Sequence, residues 1–511
     1  MRAYCVLVLL VCTAAPAHSQ TFAGGERENY LRYLQTLRLV PMYPWGARAF
    51  SPVELEHLER TQPVRAPTWL PVSTSIRFNS TFPYGFNDGP IWAGKGVTLA
   101  AEGGFVWRRG VLSLTVAPLV FVAQNAPFPP SSDSTLQQII DRPERFGTGA
   151  YARLDPGQSS LRMDWRALAL GVSTANEYWG PASEFPIMLG NNAPGFPHLF
   201  LGTAHPVKLG PIGLHARIIW GRLAQSAFSA ETLAAGVRFG TGIVADLTTR
   251  WVPGLELGAT RFVHLPWRAG GPTLDDAFAV FQGKESGLST SNGIASVFFR
   301  WVLPNSGFEV YGEYGRDDYS ANGRDFLLEP DHTGGYTVGM RKVLKRRWET
   351  GDGRSSNPHL PTPKSFLALR AELQNLQLGS IAQGRPWTPF YTHIYLRQGH
   401  TQLGQVLGSE AGVGGAGSVI AVDSYSPSGR WTWSWTRIIR QQRGDPSGTT
   451  TDPDGVDVQH ALAVERVQNR GRYELLAGVA GVYELNRNYT YDAFNLNVSV
   501  GARFGLLRHT P

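Results

Sequence analysis

Apolar and polar residues alternate with a period of two along most of the chain after about residue 71. The segment 494–504 shows the pattern clearly, because polar residues such as Asn495 and Arg503 separate the apolar ones. The apolar positions are Phe494, Leu496, Val498, Val500, Ala502 and Phe504. Successive residues of a β-strand point to opposite faces, so this alternation predicts a strand with one apolar and one polar face.

Eighteen segments of the chain are candidate strands of this kind, separated by turn signals. They lie at residues 71–80, 96–107, 111–123, 158–164, 167–174, 198–206, 213–224, 233–246, 255–264, 292–303, 308–316, 335–343, 365–374, 415–425, 430–441, 457–468, 472–484 and 493–506. Strands with one apolar face are typical of outer-membrane proteins, in which that face contacts lipid. The sequence therefore predicts an all-β fold, a transmembrane antiparallel β-barrel of about 18 strands with a small N-terminal helical segment at the periplasmic side.

The connections between the predicted strands alternate in length. Short turns are predicted at 109–110, 165–166, 304–307, 426–429 and 469–470, and long segments at about 81–95, 124–157, 175–197, 265–291, 317–334, 375–414 and 442–456. Bacterial barrels have short periplasmic turns and long external loops, so this order supports a barrel. The connection 344–364 is long and basic where a short turn is expected, which leaves the strand count open by two. A soluble β-sandwich is the alternative, but the need to place about eighteen strands in one domain argues against it.

The first 19 residues have the features of a secretory signal peptide, with Arg2 before an apolar run at 6–11 and a small-x-small cleavage site at 17–19. Both cysteines, Cys5 and Cys12, lie inside it. The mature chain then has no thiol for disulfides, thiolate catalysis or metal binding. We divide the chain into a signal peptide at 1–19, a periplasmic helical segment at 20–70, an outer-membrane β-barrel at 71–506 and a C-terminal tail at 507–511.

Two short amphipathic helices are predicted before the first strand. In the first helix Leu31, Leu34 and Leu37 share a face with Tyr30, and polar residues lie opposite. A second helix begins at 51–54, where Ser51 and Glu54 have the spacing of a capping box, and Pro63 ends it. We expect both helices to pack on the periplasmic mouth of the barrel.

Composition agrees with an exported barrel and says little about its ligand. Hydrophobic residues make up 42% of the chain, mean hydropathy is −0.17, and no run after residue 19 is long enough for a spanning helix. The 47 basic and 40 acidic residues give a formal net charge of +7. This mild excess is consistent with acidic ligands or lipopolysaccharide phosphates, and equally with ordinary loop solubility. No nucleic-acid partner is expected.

Motifs for catalysis or for metal and nucleotide binding are weak. Residues 89–96 (GPIWAGKG) nearly match a phosphate-binding P-loop, but Gly96 replaces the Ser/Thr and a strand follows instead of a helix. The charged loop 316–332 lacks the carboxylate spacing of a glycosidase or calcium site. Its arginines and acids are expected to pair with each other, and contacts of the same side chains with sugars are the functional alternative. His393 and His400 lack a third zinc ligand. No cofactor or metal is therefore predicted, and no nucleophile signature supports an enzyme.

Aromatic, imidazole and guanidinium groups cluster at 391–400 (YTHIYLRQGH), in the longest predicted external segment. Aromatic rings stack on the C–H faces of sugars, and polar side chains bind the hydroxyl groups, so this composition suits a saccharide. An interfacial aromatic girdle or simple loop packing accounts for the rings about equally well.

Three pairs of segments resemble the capsule assembly Wzi family. They are 82–89 (FPYGFNDG) with 92–96 (WAGKG), 178–181 (YWGP) with 190–195 (GNNAPG), and 391–393 (YTH) with 397–401 (RQGHT). That family consists of eighteen-stranded outer-membrane barrels with a periplasmic helical bundle, whose members act as surface lectins that help anchor capsular or exopolysaccharide. The resemblance implies the same role here. Residues 505–511, which continue past the final aromatic residue, depart from the usual terminal insertion signal.

From these observations we expect a monomeric, non-enzymatic barrel whose inward loops block the lumen and whose outer rim binds capsular or exopolysaccharide. The rings expected to stack on sugars are Trp92, Trp179 and Tyr391. The cations expected to meet an acidic polymer are Lys95, Arg316, Arg324 and Arg397. The groups expected to bind hydroxyls are Asp88, Asn191, Asp325 and His393. The alternatives are a passive diffusion porin with an open lumen and a barrel enzyme acting on surface glycan or lipid.

Overall fold

The computed structural model describes residues 24–48, 51, 54, 58, 67–129, 140–229, 236–282, 291–303, 305–317, 323–348, 363–377, 389–440, 456–471 and 473–505. The predicted signal peptide and the tail at 507–511 lie outside these ranges. In this part of the chain, no helix has both the length and the apolar character needed to cross a membrane.

Eighteen antiparallel strands form one closed barrel. They are β1 (Thr68–Asn79), β2 (Gly96–Arg109), β3 (Leu112–Val116 and Leu119–Ala123), β4 (Tyr151–Asp155 and Ser160–Trp165), β5 (Leu168–Ser173), β6 (His198–Thr203 and Val207–Leu209), β7 (Ile212–Leu223), β8 (Arg238–Thr249), β9 (Leu255–Pro266), β10 (Asn292–Leu303), β11 (Phe308–Asp317), β12 (Gly334–Trp348), β13 (Pro363–Asn375), β14 (Ala416–Ser426), β15 (Gly429–Ile439), β16 (Val458–Asn469), β17 (Tyr473–Arg487) and β18 (Tyr491–Phe504). The barrel closes between β1 and β18, which pair from Val72↔Phe504 to Asn79↔Asn497. The predicted fold and strand number are confirmed.

The described residues of the long connection at 344–364 belong to two strands already counted. β12 and β13 pair with each other from Tyr336↔Asn375 to Trp348↔Pro363, with irregular register after Val343. Both strands extend beyond their predicted ends and pair with each other as one hairpin, and its described residues contain no further strand. Residues 349–362 lie outside the described part of the chain.

One prediction about the connections was wrong. The segment Tyr151–Asp155 was expected inside a long external loop, but it pairs with Leu119–Ala123 as the first half of β4. Gly157 interrupts β4 with a positive φ of 58°, and a Cβ there would lie 2.2 Å from the Ala117 carbonyl oxygen. This interruption divides the alternating pattern into two short pieces, which hides the first piece in the sequence.

The apolar side chains of the strands face outward, as the alternation predicts. On β18 Phe494 is 55% exposed, whereas Asn495 is fully buried inside the barrel. On β10 the exposed Val297 and Phe299 alternate with buried Phe298 in the same way. Water would make such an exposed apolar surface unfavourable, but lipid accommodates it, which accounts for an outward apolar face on strand after strand.

The N-terminal segment 24–48, which we call the interior segment, lies inside the lumen and packs on the barrel wall. Its helix α1 (Glu26–Thr36) buries Leu31 and Leu34, as predicted, against Phe366 and Tyr425 of the barrel wall. The polar side of α1 is buried too, and its Arg32 pairs with the carboxylate of Glu309 in the wall. The helix therefore lies inside the barrel, which corrects the expectation that it packs on the mouth.

The capping box predicted at the second helix is present. The Glu54 amide donates to Ser51 Oγ at 3.2 Å, and the Ser51 amide donates to Glu54 Oε2 at 2.9 Å. Most of this helix lies outside the described residues. Short helices in the connections are α2 (Leu274–Ala277), a 3₁₀ turn (Ala279–Phe281) and α3 (Gly323–Leu328).

Candidate functional site: a cleft at the loop end

The barrel has two different ends. We call the end with the long connections the loop end, and the end with the short connections the turn end. The connections 174–197 and 389–415 fold inward at the loop end, where Trp179, Ile187 and Tyr391 belong to one large buried cluster. These two connections therefore pack together inside the loop end of the barrel.

A cleft of about 220 Å³ opens at the loop end, between the first connection (80–95), residues 140–146, residues 404–413 and the tops of β15–β18. We call it the loop-end cleft. Its lining combines aromatic rings with charged side chains, including Tyr84, Trp92, Arg142, Glu410, Arg440 and Arg487. It is the place where the chemistry expected of a saccharide site comes together.

The first connection is held over the barrel by hydrogen bonds to polar residues of the wall. The Asn79 side-chain amide donates to the carbonyl oxygens of Tyr84 and Ala93, each at 3.0 Å. The Thr81 amide donates to Asn495 Oδ1 at 2.8 Å. The Gly89 amide donates to the Asn191 carbonyl oxygen at 2.6 Å. The connection is thus fixed to β1, β18 and a second loop, and one wall of the cleft is preorganised.

Trp92 belongs to a group of rings at one side of the cleft. Its ring centroid lies 4.9 Å from that of Phe146 and 6.1 Å from that of Tyr151, and the rings of Phe146 and Tyr151 stack at 4.8 Å. Trp92 is only half-buried, so part of the indole faces the cleft. Packed neighbours keep such a ring in one orientation, which lets it present a flat apolar face without a large ordering cost.

Ion pairs cross the floor of the cleft. Glu410 accepts from Arg142 at 2.7 Å and from Arg440 at 3.0 Å. Arg487 donates to Glu484 at 2.8 Å and lies 3.4 Å from Glu144. The lining holds three arginines and five acids, the other two acids being Asp88 and Asp457. Carboxylates are therefore in excess over guanidinium groups in this cleft.

Two acids of the cleft titrate differently. Burial would raise the pKa of Glu410, but the guanidinium groups of Arg142 and Arg440 lower it below its usual range, so Glu410 stays ionised. Asp457 precedes β16, and its Oδ2 accepts from the Asn488 amide at 3.0 Å. Burial and the neighbouring Glu484 carboxylate raise the pKa of Asp457 to about 7. The charge of the cleft therefore changes near neutral pH.

Two of the predicted site residues, Asp88 and Trp92, line the loop-end cleft. Asn191 lies close by, where its carbonyl oxygen holds the first connection. Lys95 is half-buried, and its carbonyl oxygen accepts from the Ala126 amide at 2.9 Å, but it is not among the described lining. Two of the residues named from the sequence thus line the cleft, and their contact with saccharide stays a prediction.

The charged loop after β11 lies apart from the cleft. Arg316 donates from Nη2 to the His332 carbonyl oxygen at 2.7 Å, and its guanidinium lies 5.4 Å from the Phe326 ring. Arg324 is exposed on α3, and the side chain of Asp325 lies outside the described atoms. Neither arginine belongs to the described lining of the cleft. In the described structure, these residues and Trp92 therefore lie in separate places.

Trp179 and Tyr391 lie in the packed interior, with no exposed surface. Trp179 Nε1 donates to Glu177 Oε2 at 3.1 Å, and Tyr391 Oη donates to the Ile187 carbonyl oxygen at 2.6 Å. Both side chains fasten the inward loops in this arrangement, and their contact with saccharide stays a prediction. His393 is buried as well, and its Nδ1 accepts from the Leu396 amide at 3.0 Å, while Arg397 is half-buried.

The sequence did not reveal most of the charged residues of the cleft. Arg142 and Glu144 stand in a loop with no motif, and Arg440 and Asp457 flank a long connection. Because inward and outward positions alternate, extending the register of β15 and β16 by one residue would have marked the last two as candidates at the rim. The assembly of all four in one place depends on strand register and loop conformation, which are not local properties.

No family model and no curated protein matches this chain. Among solved structures, the fold is similar to that of Wzi from Escherichia coli, described as an outer membrane protein involved in group 1 capsule assembly and as a carbohydrate-binding β-barrel. The TM-score is 0.63 at 13% identity, over 95% of this chain and 99% of that one. OccAB2 of Acinetobacter baumannii gives a TM-score of 0.41 at 10% identity, over 85% and 97% of the two chains. OprD of Pseudomonas aeruginosa gives 0.35 at 10%, over 86% and 95%. The similarity to Wzi confirms the suspected resemblance at the level of the fold, and the chain is an outer-membrane type of β-barrel.

Proposed function

We propose that this protein binds surface polysaccharide in the loop-end cleft and helps to anchor or assemble it on the outside of the cell. The observation that supports the proposal is the meeting of Trp92 with Arg142, Arg440 and Glu410 in one preorganised cleft at the end of the barrel with the long loops. A similar fold in a protein described as a carbohydrate-binding barrel agrees with this role.

The chemistry of the cleft matches a polyhydroxylated ligand. A half-buried indole offers a flat face for the C–H groups of a pyranose ring, while carboxylates accept hydrogen bonds from sugar hydroxyls and guanidinium groups donate to sugar oxygens. The ion pairs that cross the floor hold these groups in place before a ligand arrives, so less side-chain entropy is lost on binding. The role that we propose is that of a lectin, which binds a saccharide and does not catalyse a reaction on it.

The charge balance of the cleft favours neutral or amino-substituted sugars over strongly acidic ones. Five acids face three arginines, so a carboxylated polymer would meet net repulsion when all the acids are ionised. The arginines that were expected to bind an acidic polymer, Arg316 and Arg324, lie elsewhere. The preferred partner is therefore a capsular or exopolysaccharide whose recognised segment is hydroxyl-rich and not densely anionic.

The size of the cleft points to recognition of a short segment of the polymer. Its volume of about 220 Å³ is below the roughly 300–1,000 Å³ of common small-molecule sites. A single site of this kind binds weakly, but many copies of the protein in one membrane can hold the same polymer chain. Retention at the surface then arises from multivalency instead of from one tight contact.

The proposal places the protein in the outer membrane as a monomer, after removal of a signal peptide at residues 1–19. The N-terminal segment, whose helix α1 lies inside the barrel, precedes the strands that begin at Thr68, and the tail at 507–511 follows the last strand. The outward apolar side chains of the strands contact lipid and lipopolysaccharide. In this orientation the loop end faces the medium, since both ends of the barrel sequence lie at the turn end.

The test is binding of the purified, detergent-folded protein to an array of glycans that includes neutral, amino-substituted and acidic bacterial polymers. Saturable binding that Arg440→Gln weakens would support the proposal. Arg437→Gln is the matched control, because Arg437 lies three residues earlier on the same strand, outside the described lining of the cleft. Absence of binding to every glycan, or equal loss in both variants, would overturn it.

A further inference from the structure

A second cavity of about 550 Å³ lies inside the barrel, between the wall and the interior segment. We call it the wall crevice. Residues 24–29 of the interior segment line one side, and the inward faces of β1, β2 and β15–β18 line the other.

Small side chains on the barrel wall create the space. The inward positions of β1, β16, β17 and β18 carry Ser73, Ser75, Ala463, Gly478, Ser499 and Gly501 along the crevice. On the opposite half of the barrel the corresponding inward positions carry large side chains, such as Arg300 and Tyr311, which pack on the interior segment. The interior segment therefore fills one half of the lumen more completely than the other.

The wall crevice reaches from one end of the barrel to the other. Arg503 and Arg430, at the ends of β18 and β15 nearest the turn end, line it there. At the loop end it is lined by Tyr84, Asn87 and Asp88. These residues of the first connection also line the loop-end cleft from the other side. Among the described residues, one layer of polypeptide, the first connection, thus separates the crevice from the loop-end cleft.

One ion pair fastens that layer to the wall. Arg77 on the inward face of β1 pairs with Asp88 of the first connection, and Asp88 Oδ2 also accepts from the Phe86 amide at 3.1 Å. Both partners keep about a fifth of their side-chain surface exposed, at 22% and 18%. An ion pair with this exposure is weak, because water competes for both charges.

Opposed charges are paired along the crevice. Arg48 donates to Glu28 at 2.6 Å, and Arg430 lies 2.9 Å from Glu26. Such a lining is polar enough to be hydrated and carries no large excess of one sign, so neither cations nor anions would be strongly excluded. An apolar or tightly packed interface would have closed this half of the lumen.

We propose that the wall crevice is a path for small ions and solutes through the barrel, closed at the loop end by the first connection through Arg77 and Asp88. This activity would exist beside saccharide binding and does not depend on it. Displacement of Asp88 from Arg77 moves the layer that divides the crevice from the loop-end cleft. The strong backbone and Asn79 contacts of the connection would keep the closed form dominant in the intact protein.

The test is the conductance of the purified full chain in planar lipid bilayers. Arg77→Gln breaks the closing pair from the lumen side, without altering a residue that lines the loop-end cleft. We expect rare openings in the unaltered protein and an increase in open probability of roughly fivefold in Arg77→Gln, equivalent to about 1 kcal/mol. Anion and cation permeabilities should be similar.

A matched control breaks another partly exposed ion pair of the barrel. Glu474→Gln removes the pair between Glu474 and Arg503, 3.2 Å apart at the turn end, and should leave the open probability unchanged. A second variant replaces residues 83–92 by a Gly-Ser spacer and should conduct steadily. If that variant migrates as a folded, heat-modifiable barrel and conducts no more than the unaltered protein, the proposal is overturned. Glycan binding of Arg77→Gln should be measured in parallel. This second measurement distinguishes failure of the ion-path proposal from failure of the saccharide proposal.

Discussion

Arg32 of the interior helix donates from Nε to Glu309 Oε1 of β11 at 2.6 Å, across a sequence separation of 277 residues. Both side chains are buried, and Glu309 also accepts from Arg300 of the neighbouring strand at 2.9 Å. Arg32 Nη2 donates to the Pro181 carbonyl oxygen at 2.7 Å. One guanidinium thus joins the interior segment, the barrel wall and an inward loop.

Arg32→Gln should destabilise the folded barrel strongly. Removal of one partner of a buried pair leaves the other charge without full compensation, which costs about 3–5 kcal/mol in comparable cases. The measurement is the free energy of unfolding in urea, with the protein in detergent micelles or lipid vesicles. Arg268→Gln is the control, because Arg268 is 62% exposed and lies 3.3 Å from Asp276; its effect should be below about 1 kcal/mol. Equal effects of the two variants would contradict the structural role of Arg32.

Trp92→Ala should weaken saccharide binding by roughly two- to thirteenfold, the effect of losing one aromatic contact worth about 0.5–1.5 kcal/mol. Trp431→Ala removes a ring of the same size that faces outward on β15, next to Trp433. It should leave the dissociation constant unchanged. Titration calorimetry with an oligosaccharide identified on the array would measure both constants. An unchanged constant in Trp92→Ala would exclude the ring from the site.

Asp457 should make the protein more stable as the pH falls through neutrality. Burial and Glu484 raise the pKa of Asp457 to about 7 from the ordinary 3.8, so the folded state binds a proton that the unfolded state does not bind between those values. Stability is then gained as the pH falls from about 7 towards 3.8 and lost as it rises again. In Asp457→Asn this part of the pH dependence should disappear. Parallel curves for the variant and the unaltered protein between pH 8 and 5 would show that Asp457 does not titrate in this way.

His400 should make the opposite contribution to stability over nearly the same pH range. Its Nε2 donates to the Met188 carbonyl oxygen at 2.6 Å, so the Nδ1 of the neutral ring accepts from His264 Nε2 at 2.7 Å. Burial lowers the pKa of His400 to about 4, and the unfolded histidine protonates first, near 6.5. Stability should therefore fall as the pH drops from about 6.5 to 4, by up to about 3 kcal/mol.

His400→Phe tests this histidine. The substitution keeps a ring to stack on Tyr391 and removes the titrating group. Its unfolding free energy should depend less on pH between 6.5 and 4 than that of the unaltered protein. A drop of the same size in both proteins would assign the effect to other groups.

The barrel could be predicted from the sequence because lipid imposes a pattern with a period of two on every strand. The pattern fails where β4 is interrupted at Gly157, which hid the first half of that strand. Amphipathicity predicted helix α1, but it did not predict burial of both its sides, because the polar residues opposite Leu31 and Leu34 are matched by charges of the distant wall.

The lining of the candidate cleft could be predicted less completely than the fold. Asp88 and Trp92 were found because they stand in one local motif of the first connection. Arg440 and Asp457 come from the two sides of a long connection, and only the strand register brings them to the same rim. Trp179 and Tyr391 have the composition expected of sugar-binding rings, and composition does not distinguish an exposed ring from one that packs under a loop.

The pairing of Val72 with Phe504 also sets the order of assembly. Strand β1 keeps an unpaired edge until the last strand of the chain has been synthesised and delivered, because its partner is β18. The interior segment precedes β1 directly, so its enclosure and the closure of the wall are coupled events. A chain that closes before α1 has entered would leave Glu309 without Arg32 and would expose the wall charges to an empty lumen. Insertion into the membrane and filling of the barrel are therefore expected to be a single cooperative step at the end of biogenesis.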